Sequence, residues 1–118
     1  MLLAPTKPSL AGWDPNAPTP TFPETLDAQI DQTFYNIDLA MRAAGGKGIS
    51  QVFSIRSYHP QIKATPDAMD LMKKSFEKWF PNHRPIWTAV GVESLALPKM
   101  KIEIEAVAYD PQNGGMGV

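Results

Sequence analysis

Near the end of the chain, Glu103 and Glu105 flank Ile104 in the run KIEIEAVA. In an extended segment alternate side chains share a face, which sets the two carboxylates about 7 Å apart on one side. Desolvation favours a neutral carboxyl, so a half-buried glutamate can exchange protons near neutral pH or position a water. The competing reading is a solvated strand face. Upstream, RPIWTAVGV also alternates, with Ile86, Thr88, Val90 and Val92 on one side and Trp87, Ala89 and Gly91 on the other. If Ile102, Ile104, Ala106 and Ala108 are core, the simplest arrangement of residues 84–108 is a hairpin. Its second face would then carry both glutamates beside Trp87, Ala89 and Gly91. The small residues would leave space that the indole walls, a setting suited to a planar ligand. For Trp87 the alternative is interface packing.

Other chemical groups are sparse. His59 and His83 each lie beside a proline in or near a loop, without HxxxH or HExxH spacing. The chain has no cysteine, so disulfides, thiolate nucleophiles and Cys-bound metals are excluded and no metal site is expected. Ser50, Ser54, Ser57 and Ser75 lack a nucleophile-elbow context. Lys73, Lys74 and Lys78 with Glu77 read as the solvated face of a helix. AGGKG at 44–48 follows a helix rather than a strand, so its glycines read as a helix stop and not as a phosphate loop. Arg56 and Arg84 are candidate anion partners.

The elements that must position these groups follow from periodicity. Leu26, Ile30, Phe34, Ile37, Met41 and Ala44 recur at helical spacing within Glu24 to Ala44, ahead of Gly45. SQVFSIRSY, 50–58, is rich in β-branched and aromatic residues and reads as a strand. A second helix is expected from TPD, with Thr65 as N-cap and Pro66 at the first position, running to Phe80 with Met69, Met72, Phe76 and Phe80 inward. Six of the 12 prolines lie in the first 23 residues, so residues 1–22 read as an irregular leader in which a long strand is improbable. QNGGMGV is expected to be a frayed tail at 112–118, leaving 23–111 as one domain. The expected class is α+β, a two-layer sandwich with both helices on one face of a sheet. The other face would be too apolar for water and would be buried by self-association.

With 118 residues, net charge −1 and 43% hydrophobic residues, the totals describe a globular chain without the electrostatic footprint of a nucleic-acid or anionic-membrane binder. The N-terminus lacks the pattern of a signal peptide, and no apolar run approaches a membrane span. A cytoplasmic protein is expected.

The long helix ending in AAGG, SQVFSIRSY, FEKWFPNHRP and above all LPKMKIEIEAVAYDP resemble the RidA/YjgF family over about residues 12–111. The resemblance implies a chorismate-mutase-like fold and a homotrimer with a central barrel, with a small-molecule ligand at each subunit interface and no cofactor. It implies hydrolysis of reactive imines or enamines to a 2-oxo acid and ammonia, with Glu103 at the position of the glutamate that helps place the attacking water. The family's substrate-gripping arginine falls at Trp87, and its small neighbour, often Cys, falls at Ala89. GWDPN is similar to the turn after the family's Ser-Gly-Gln stretch, here PSLAG, which makes Gly12 and Trp13 ligand-contact candidates. Arg84, three residues before Trp87, is the nearest arginine to substitute for it. Only about a dozen residues precede Gly12, so the family's N-terminal strand pair is expected to be mostly absent. An arginine clamp on a carboxylate is worth about 2–3 kcal/mol, which Trp cannot supply. The resemblance therefore points to acid/base chemistry at Glu103 on a larger, less anionic imine, enamine or enol-type intermediate. The alternatives are a non-catalytic binding protein on the same scaffold and, more remotely, the ribonuclease activity attached to some relatives.

Overall fold

The computed structural model describes residues 9–111. The tail expected at 112–118 and the first eight residues of the leader lie outside them. Strand β1 (Ser9–Ala11), helix α1 (Leu26–Ala43), strand β2 (Val52–Pro60), helix α2 (Ala68–Trp79), strand β3 (Ile86–Val92) and strand β4 (Glu103–Ala108) follow in that order. They build one mixed four-stranded sheet with both helices on one side, the α+β sandwich that the periodicities predict. Within the proline-rich leader a three-residue strand, β1, pairs antiparallel with β4.

Helix α1 starts where Thr25 accepts a hydrogen bond from the Ala28 amide and stops where Gly45 takes φ 98°. Ile30, Phe34, Ile37 and Met41 form its fully buried stripe, each contributing roughly 1.5–3 kcal/mol by leaving water. Helix α2 begins later than TPD suggests. The Thr65 hydroxyl donates back to the Gln61 carbonyl, so it caps nothing, and the helical hydrogen bonds start at Ala68. Ala68, Met72 and Phe76 are its buried line, while Met69 is only partly covered. Phe34, Phe76 and Phe80 meet edge to face at 5.8–5.9 Å, which joins the two helices.

The expected hairpin does not form. The strand order is β1-β4-β2-β3, with β2 lying between the two segments, parallel to β3 and antiparallel to β4. Helix α2 provides the crossover that a parallel pair needs. The 10 residues 93–102 between β3 and β4 are more than enough to cross the end of one strand, about 10 Å.

This topology reverses the expected facing of β3. Trp87, Ala89 and Gly91 pair with Ile55, Ser57 and His59 of β2, and Ile55 and Ser57 pair in turn with Ala106 and Ile104 of β4. All of these lie on the helix-covered side. Ile86, Thr88 and Val90 line up instead with Ser54, Arg56 and Tyr58, and across β2 with Val107, Glu105 and Glu103. Ile86 is 69% exposed, so it is not core. The indole and the glutamates occupy opposite faces.

Candidate functional site

The open face carries a polar cluster at its centre. Tyr58 donates its hydroxyl proton to Glu105 Oε1 at 2.5 Å. Arg56 is the cross-strand partner of Glu105, and Glu103 that of Tyr58. Tyr58, Glu103 and Glu105 are all half-buried. The bond to Glu105 holds the Tyr58 phenol above its ordinary value of 10, desolvation adds to this, and Arg56 opposes it. Period-2 alternation on the two central strands, β2 and β4, is what brings a phenolic acid, two carboxylates and a guanidinium together. The arrangement can hold a proton and deliver it to a ligand on this face. Among the described residues no cluster of three or more His, Asp or Glu side chains is spaced to hold a metal ion.

The indole belongs to a second network under the helices. Trp87 packs edge-on against Phe76, with ring centroids 4.9 Å apart. Its Nε1–H donates to Ser57 Oγ at 2.9 Å, and Ser57 Oγ lies 2.7 Å from His59 Nε2. An indole N–H can only donate, so Ser57 accepts it and keeps its own proton for donation; in the tautomer where that proton goes to His59 Nε2, the ring proton sits on Nδ1. Ser57 and His59 are both buried. Burial holds the imidazole below its usual value of 6.5 and therefore neutral.

By residue type and spacing alone His59 falls near a loop and Ser57 has no role. The signal available was the strand alternation itself: 55, 57 and 59 share one face once the strand extends to Pro60. Tyr58 was likewise legible as a neighbour of the glutamates only after β2 was known to lie beside β4.

The remaining candidates sit apart. Gly12 is buried at the end of β1, where an added Cβ would lie 2.6 Å from the Gln29 carbonyl oxygen, so the helix can pack here only against glycine. Trp13 is partly buried against the core, and its carbonyl accepts from Asn36 Nδ2 at 2.9 Å. Arg84 donates to the Phe80 carbonyl at the end of α2, which ties it to the helix terminus rather than to the sheet face. Ala89 stands opposite Ser57 on the helix side, yet is itself exposed because β3 is an edge strand.

Two residues that the sequence reading overlooked organise the surroundings. Gln29, fully buried on α1, donates to the carbonyls of Pro23 and Lys99 and accepts from the Lys101 amide. Asn36 donates to the carbonyls of Ala11 and Trp13. Together they clamp the leader and the β3–β4 connection onto α1.

The chain belongs to the RidA/YjgF family: the family model described as endoribonuclease L-PSP matches residues 10–110. Its fold is similar to that of RidA from the Antarctic bacterium Psychrobacter, 26% identical with a TM-score of 0.75 over 87% of this chain and 77% of that one. YyfB of Yersinia pestis, a Rid-family protein of unknown function, is 25% identical with a TM-score of 0.71 over 85% and 73%. The YjgF gene product of E. coli shares the fold at 22% identity, with a TM-score of 0.70 over 86% and 76%. A search of curated proteins found no match to the sequence.

Proposed function

We propose that this protein acts on a reactive imine, enamine or enol-type intermediate by acid/base chemistry at the open sheet face, with Glu103 as the proton-handling or water-placing group. The observation that carries this reading is the 2.5 Å bond from Tyr58 to Glu105 beside Glu103 on a partly buried face. Ile86 and Tyr109, both substantially exposed, border the same face and favour its closure by further copies of the chain, as in a trimer. Closure would exclude water from the carboxylates and sharpen their proton chemistry. A ligand that touched both Glu103 and an indole would have to take them from different copies, since one chain holds them on opposite faces. With Trp87 standing where the family resemblance places an arginine, small anionic imines are the poorer substrates and larger, less charged ones the better.

Ammonia release, coupled to a dehydrogenase, tests the reading with 2-iminobutanoate and with an uncharged aryl imine. The native protein is expected to favour the uncharged substrate, and Glu103→Gln to lower its turnover about 100-fold with the fold intact. Unchanged turnover in that variant, or robust release from 2-iminobutanoate, rejects the proposed roles of Glu103 and Trp87 respectively. Specific binding of such molecules without turnover would support the non-catalytic alternative.

A further inference from the structure

The tip of the sheet encloses a cavity of about 420 Å³. It lies where the carboxyl ends of the parallel strands β2 and β3 meet the start of α2 and the β3–β4 connection, the general position at which open α/β sheets take ligands. Its size falls within the roughly 300–1,000 Å³ of small-molecule sites. Ile62, Ala68, Leu97 and Met100 supply a mostly apolar wall, and Lys101 and Glu93 stand on it with opposite charges. His59 also lines it, only 2% exposed, and among the described residues its Nδ1 has no hydrogen-bond partner.

That orphaned nitrogen is the informative feature. A buried polar atom without a partner costs about 1–3 kcal/mol, and this one belongs to a ring whose other nitrogen is already engaged by Ser57. With Trp87 donating to Ser57 and the serine proton passed to Nε2, Nδ1 carries the ring proton, on a residue that lines the cavity. A ligand that satisfied it would bring an acceptor. Two further features favour an acceptor with negative charge. Among the described residues Asp67, the N-cap of α2, makes no side-chain capping bond, and Thr65 and Ala68 at that helix start line the cavity, where the helix dipole favours an anion. Lys101 provides a cation that offsets Glu93.

We propose that this cavity binds a small, largely apolar molecule ending in a carboxylate, with one oxygen accepting from His59 Nδ1–H, the acidic end near Lys101 and the start of α2, and the apolar body against Ile62, Leu97 and Met100. Glu103, Glu105 and Tyr58 do not line this cavity, so the site is distinct from the one proposed at Glu103.

Hexanoate is a suitable probe, with hexylamine and hexanol as matched controls, read by NMR of the full chain carrying ¹⁵N-labelled histidine. Hexanoate is expected to move the His59 Nδ1–H signal saturably. Hexanol and hexylamine should bind at least tenfold more weakly, and Lys101→Met should weaken hexanoate severalfold. Because replacing a buried histidine can unfold the chain, Leu97→Trp serves as a second variant that fills the cavity. It should abolish hexanoate binding while the unliganded His59 signals stay native-like. An unmoved His59 signal, equal affinity for hexylamine, or undiminished binding in Leu97→Trp would each overturn the proposal.

Discussion

The proton shared between Tyr58 and Glu105 and the neutral ring of His59 make this molecule's stability depend on pH in opposite directions. The folded phenol keeps its proton to higher pH than an unfolded one. Its contribution is therefore complete below about pH 10 and is lost as pH climbs towards the folded value. A Tyr58→Phe variant should show a shallower fall in melting temperature between pH 9 and 11 than the native chain. For His59 the protonated form is the one disfavoured by folding. The unfolded chain takes up a proton as pH drops through about 6.5 while the folded ring does not, so stability declines from there down to the folded value. The urea midpoint is expected to drop between pH 7.5 and 5.5, and to drop less in His59→Gln. Neither residue's importance was visible from its own type, because both depend on what a neighbouring strand places beside them.

At the level of elements, the helices and strands were largely readable and their neighbours were not. Helical spacing located α1 nearly to its ends, since Thr25 and Gly45 bracket the apolar stripe. For α2, Thr65 is a good cap by type, yet its hydroxyl satisfies Gln61 instead and the helix begins at Ala68. Alternation located β3 and β4 correctly but did not reveal that β2 separates them. The leader and the β3–β4 connection are held by Gln29, a polar residue on a helix's inner face, where hydrophobic periodicity offers no prompt. Gln29→Ala would leave the Pro23 and Lys99 carbonyls and the Lys101 amide without their partner, at a cost of roughly 2–3 kcal/mol. Urea unfolding should register that loss, and hydrogen exchange at the Lys101 amide should accelerate in the same variant.

For the molecule as a whole, the decisive feature is a sheet covered on one side only. Ile86 at 69% exposure and Tyr109 at 49% are costly neighbours for water, and Tyr58, Glu103 and Glu105 on the same face are half-buried even in a single chain. Sedimentation is expected to find a species several times the 13.0 kDa protomer. Ile86→Lys, which sets a charge on that face, should shift the population towards single chains with little loss of secondary structure. A native protein that sediments as one chain at micromolar concentration would remove the basis for a closed site around Glu103.

The sequence by itself determined the family, the α+β class, the approximate spans of both helices and the face of β4 that carries Glu103 and Glu105. Such properties follow from local spacing: a period of 3.6 or 2 is written into the chain whatever its neighbours do. Only the tertiary structure decided that Trp87 looks towards the helices while the glutamates look away, that Tyr58 lends its proton to Glu105, and that Ser57 and His59 join the indole. Pairing order and register depend on contacts between residues tens of positions apart. A strand's alternation is satisfied equally well with either face inward until its partner is known.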